Sequence, residues 1–105
     1  MKRLLVIGLI SLLLVPVMIH ADKNKKIAVA SIGKTADALV SPQAARCPYY
    51  LIFDATGALT EVIDNPNKNA RGRAGPSAAH FLAQRGIAMV VAGNFGPKMI
   101  HALEN

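Results

Sequence analysis

Much of what this chain lacks bears on function. It has a single cysteine, Cys47, so no internal disulfide can form. Its three histidines, His20, His80 and His101, stand singly and without the paired spacing of a zinc site. Asp37, Asp54, Glu61, Asp64 and Glu104 form no motif with a histidine or a second carboxylate, and no nucleophile is flanked by a recognisable base. Catalysis is therefore not expected. Only 5% of the residues are aromatic and no dense Lys/Arg stripe interleaves them, which argues against nucleic acid as a partner. Gly33-Lys34-Thr35 after an apolar run looks at first like a phosphate-binding loop. That motif needs a glycine at position 28, where this chain has Ala28.

What is present begins with a leader-like segment. Lys2 and Arg3 precede an almost unbroken apolar stretch, Leu4 to Ile19, interrupted by Gly8, Ser11 and Pro16. His20-Ala21 then places a small residue where a signal peptidase cuts. A spanning helix needs about 20 apolar residues, more than this run supplies, and no cysteine follows it to carry a lipid. The expectation is a signal peptide over residues 1–21, cleaved after Ala21, and a periplasmic or secreted product with no stable membrane span. Past residue 21, ten basic residues face six acidic ones, a formal charge of +4. The remaining 84 residues are a small length for a self-sufficient core.

Residues 22–26 read as a polar tether, and residues 27–105 as one domain. Ile27–Ser31 has strand length. Thr35–Val40 is expected as a short helix ended by Ser41-Pro42. Tyr49–Phe53, rich in aromatic and branched residues, and Leu59–Asp64 read as a β-hairpin around the turn Asp54–Gly57. Asn65–Gly75 is a basic, glycine-bearing loop. Pro76 suits a first helical position and Gly86 a C-terminal stop, with Ala78, Phe81 and Leu82 on one face. Ile87–Ala92 is continuously apolar, as in a strand covered on both faces. Gly93–Pro97 is a tight turn, and Lys98–Glu104 a final helix. Strand, hairpin, helix, strand, helix predicts an α/β domain with a mixed sheet.

Read together, KIAVAS, SPQAARCPYYLIFD and VIDNPNKNARGRAGPSAAHFLAQRGIAMVVAGNFGP resemble the dinitrogenase iron–molybdenum cofactor biosynthesis family, from about Lys26 to Leu103. The most specific parts are Arg46-Cys47-Pro48-Tyr49-Tyr50 and Gly93-x-x-Gly96-Pro97; Gly75 at the helix start and Asn65-Pro66 also match. The resemblance implies a three-layer α/β/α, ribonuclease H-like fold. It implies a cofactor carrier for an iron–molybdenum or other molybdenum-containing cluster, and a cofactor donor or acceptor protein as partner. Two departures accompany it. Where family members often carry His-Phe-Gly before the arginine, this chain has Gln43, Ala44 and Ala45, so one candidate ligand is gone. Family domains also continue past the last helix through another strand and usually another helix. A shortened sheet of that kind suits a second role, an interaction module whose open edge is completed by a partner or a homodimer, and a small-molecule oxyanion-binding protein is a third reading.

The candidate sites follow. Cys47 is either a thiolate ligand for a soft metal or cluster, favoured by Arg46 beside it, or a small apolar residue at a strand entrance. Gly93, Asn94 and Gly96 offer backbone N–H groups at a helix start, where anions are attracted, and Arg71 and Arg73 supply charge. The same glycines equally serve a plain strand-to-helix turn. His80 and His101 are metal candidates only as single ligands, and His80 falls on the polar side of its helix.

Overall fold

The computed structural model describes residues 5–8 and 25–104. Five strands form one sheet: β1 (Leu5–Gly8), β2 (Lys26–Ser31), β3 (Tyr49–Phe53), β4 (Leu59–Asp64) and β5 (Ile87–Ala92). Their spatial order is β1-β5-β2-β3-β4, with β1 and β2 parallel to β5 and the β2–β3 and β3–β4 pairs antiparallel. Two helices accompany them, α1 (Ala74–Gln84) and α2 (Pro97–Glu104). The mixed α/β architecture expected from the sequence is the one present.

The β3–β4 hairpin is set by its turn. Asp54 Oδ1 accepts from Thr56 N at 2.9 Å, Thr56 Oγ1 at 2.6 Å and Ala58 N at 3.0 Å, and Gly57 takes φ 89°, a left-handed value that suits glycine. The Thr56 hydroxyl and these N–H donors hold the Asp54 carboxyl below its ordinary range. Helix α1 begins at Ala74, two residues before Pro76, after Arg73 in the left-handed region at φ 57°. Pro76 thus lies in the first turn, where its missing N–H has no intrahelical partner to lose.

Thr35–Val40 is not a helix. The segment makes one turn, closed by Ala38 N to Thr35 O at 2.9 Å, and Val40 bridges back to Ser31. Six residues cannot offset the cost of helix nucleation, and here the backbone has better partners: Ile32 N bonds Leu39 O at 3.1 Å and Ser41 N bonds Ala30 O at 2.7 Å.

The core lies on one face of the sheet. Ala28, Ala30, Tyr50, Ile52, Val90 and Ala92 point toward Ala78, Ala79 and Leu82 of α1 and Met99 and Leu103 of α2. Alternation along the strands carries Ile27, Val29, Phe53, Met89 and Val91 to the other face, where they are half-buried. Both described helices cover the first face, and among the described residues no helix covers the other. The leader expected over residues 1–21 falls largely outside the described residues. Its described part, Leu5–Gly8, is β1.

Candidate functional site

Strand directions bring three connections to one end of the sheet. The carboxyl ends of β2, β4 and β5 and the amino end of β3 all lie there, so residues 32–48, 65–73 and 93–96 share that mouth. In open α/β sheets this is the end where ligands bind. Both helices also start there, directing their unpaired N–H groups toward the mouth.

Hydrogen bonds lock the connections together. Gly93 N donates to Ser41 O at 2.9 Å, and Ala44 N donates to Asn94 O at 3.1 Å. A Cβ on Gly93 would stand 2.9 Å from Pro42 Cα, so only glycine allows this approach. Gly93 therefore does more than turn the chain: it seats the β2–β3 connection on the start of α2, whereas a Cβ on Gly96 would meet nothing within 4 Å. Asn94 is exposed, and its Oδ1 accepts from Phe95 N at 2.9 Å.

Asn65 is the second clamp. It is 1% exposed, and its Nδ2 donates to Ala45 O and Cys47 O, each at 2.8 Å, while its Oδ1 accepts from Asn67 N at 2.9 Å. Sequence reasoning noted Asn65-Pro66 without giving it this role. The available signal was an asparagine immediately after a strand, a residue that bonds backbone two positions on. Arg46, half-buried, donates from Nη1 to Ala70 O, tying its guanidinium to the loop that carries Arg71 and Arg73. Those two arginines are exposed. Among the described residues the one ion pair is Arg85–Glu61, on other elements, so no carboxylate within ion-pair distance neutralises Arg46, Arg71 or Arg73.

Cys47 is fully buried. Its Sγ lies 3.8 Å from Ala44 O and 3.7 Å from Asn65 Nδ2. Burial pushes the thiol up from 9.0 to about 11, against smaller opposing effects of Tyr50 and Asn65. Tyr50 beside it is also raised, by burial and by the neighbouring sulfur, and its hydroxyl donates to Ala44 O at 2.5 Å. At neutral pH Cys47 is thus a protonated, enclosed thiol, the opposite of a poised thiolate. His80 and His101 are exposed, on α1 and α2. Among the described residues no three His, Cys, Asp or Glu side chains gather as a metal site.

The profile described as dinitrogenase iron-molybdenum cofactor matches residues 25–105. The chain belongs to that family. Two solved structures resemble it. The apo form of the orange protein from Desulfovibrio gigas aligns with a TM-score of 0.69 and 36% identity, over 75% of this chain and 67% of that one. A putative NifB protein from Thermotoga aligns with a TM-score of 0.56 and 33% identity, over 69% of this chain and 61% of that one. A comparison with curated protein sequences found no match. The family is linked to binding or carrying of the iron–molybdenum cofactor and related clusters.

Proposed function

We propose that the protein binds an anionic metal cluster, an iron–molybdenum or other molybdenum-containing one, at this mouth and carries it without turnover between a donor and an acceptor protein. The observation that carries the reading is the set of arginines that have no acidic partner among the described residues, on connections that Asn65, Gly93 and Arg46 itself pin together. The cluster is cargo, held by charge and hydrogen bonding. Arg46 and the loop bearing Arg71 and Arg73 supply positive charge, and Asn94 and Gly96 offer N–H donors at the start of α2, those of Gly93 and Phe95 being used by Ser41 O and Asn94 Oδ1. The residues present fit an anion better than a bare metal ion, because Cys47 is protonated and no set of three ligating side chains gathers among the described residues. Cys47 enters this reading as a wall of the mouth.

The leader-like segment supports a place outside the cytoplasm, with cleavage after Ala21. Elemental analysis, with an absorption spectrum, of protein purified without oxygen from a host that makes such clusters tests the proposal. Wild type should carry stoichiometric molybdenum, Arg46→Ala at least tenfold less, and Cys47→Ser an undiminished load. Metal-free wild type after exposure to a loaded donor would reject the carrier reading. Loss of metal in Cys47→Ser alone would make the cysteine an anchor.

A further inference from the structure

Four large apolar side chains stand exposed among the described residues, and two of them are held together. Leu39 is 71% exposed and Ile32 49%, and neither belongs to the core. The antiparallel bridge between Ser31 and Val40 continues into a bond from Ile32 N to Leu39 O at 3.1 Å, which sets Ile32 opposite Leu39. Residues paired in this way carry their side chains on the same face.

The turn between them is braced. Ser31 Oγ donates to Gly33 O at 2.7 Å and accepts from Gly33 N at 3.1 Å. Ala38 N donates to Thr35 O at 2.9 Å, and a Cβ on Gly33 would stand 2.9 Å from Ala38 Cβ. Lys34 Nζ lies 5.4 Å from the centre of the Tyr49 ring, which ties the turn to the start of β3. An apolar pair presented on such a turn has little freedom left to lose when a partner covers it.

Charge says what kind of partner that is. The pair stands beyond the carboxyl end of β2, at the same end of the sheet as the mouth. There the connections and the first turn of α2 carry Lys34, Arg46, Lys68, Arg71, Arg73 and Lys98. Asp37 is the one acidic residue among them, and its Oδ1 already accepts from Thr35 Oγ1 at 2.5 Å. Elsewhere in residues 25–104, Lys25, Lys26 and Arg85 face Asp54, Glu61, Asp64 and Glu104, so the positive surplus belongs to this end. A second copy docking here would set like charges against each other. Aliphatic side chains give a nucleic-acid base no ring to stack on.

We propose that Ile32 and Leu39 are the apolar centre of a docking surface for an acidic protein, whose carboxylates meet the cations of the same end. An apolar centre with a charged rim is the ordinary build of a transient interface. That this protein is the donor or acceptor of the cargo rests on the carrier reading; the surface itself does not.

The test pans a random peptide library, displayed on phage, against the protein. Enriched peptides should be net negative and contain a large apolar residue. Synthesised, they should bind Ile32→Ser/Leu39→Ser at least tenfold more weakly than wild type. The same variant should keep the wild-type molybdenum load, because neither residue holds the cargo. Neutral or basic enriched peptides, or equal binding to the double variant, would overturn the docking surface. So would vesicles of phosphatidylglycerol, or a second copy of the chain, captured through the same two residues in place of acidic peptides. Peptides that bind as expected to a wild type that takes up no molybdenum would uphold the surface and remove the carrier reading alone.

Discussion

Cys47 illustrates how an environment decides what a side chain can do. Enclosed between Asn65, Tyr50 and the carbonyl of Ala44, the thiol keeps its proton well past neutrality. The folded value of about 11 lies above the 9.0 of an ordinary thiol. The unfolded chain therefore releases this proton first as pH rises. The stabilisation is fully present below pH 9 and fades between pH 9 and about 11, amounting to up to roughly 3 kcal/mol. Tyr50, raised in the same sense, adds to the decline above its own ordinary value. Urea midpoints measured from pH 8 to 11 should fall more steeply for wild type than for Cys47→Ala. Parallel slopes would mean that the thiolate is tolerated in the fold, and ligation by Cys47 would regain its case. The sequence left two readings of this cysteine open because burial is a property of the surroundings. Asn65, whose amide reaches Cys47 O from 18 positions away, is invisible as a partner until the hairpin is folded.

At the scale of elements, what was legible was what local chemistry dictates. The β3–β4 hairpin follows from its aromatic and branched strands around an Asp–Gly turn, and α1 from its apolar spacing and terminal glycine. Thr35–Val40 failed because helical composition over six residues is too little against a competing loop closure. β1 was not legible, because its pairing with β5 spans more than 80 residues and an apolar run near a basic start reads equally as a leader. The junction of the two helices allows a sharper statement. A Cβ on Gly75 would stand 2.9 Å from Met99 N and 3.1 Å from Met99 Cβ. Helix propensity alone favours Gly75→Ala by up to about 1 kcal/mol. The clash is with backbone, which cannot swing aside, and overpacking of that kind costs roughly 1–3 kcal/mol. The clash wins, so Gly75→Ala should lower the thermal midpoint by several degrees, read by circular dichroism, and an unchanged or higher midpoint would show that α1 and α2 separate freely.

For the molecule as a whole, the organising feature is that Arg46, Arg71 and Arg73 stand on connections at one end of the sheet. Glu61 on β4 is neutralised by Arg85, just beyond α1, whereas Arg71 and Arg73 sit exposed on a loop with no carboxylate of the described residues in ion-pair range. A cargo held this way feels a field more than a set of bonds, and that field is screened by salt. Raising ionic strength from 0.01 to 0.15 M shortens the Debye length from about 30 to about 8 Å. Exposed charge pairs contribute about 0.2–1 kcal/mol each, so screening two or three of them removes on the order of 1.4 kcal/mol, or tenfold in affinity. Titrating the protein with molybdate at the two ionic strengths should show about that weakening. Arg71→Ala/Arg73→Ala should bind weakly at both, with most of the salt dependence gone. A covalent anchor predicts the reverse pattern, with affinity indifferent to salt and to these arginines. The same pair of titrations thus separates a mouth that works by its overall charge from one that works through a single ligand.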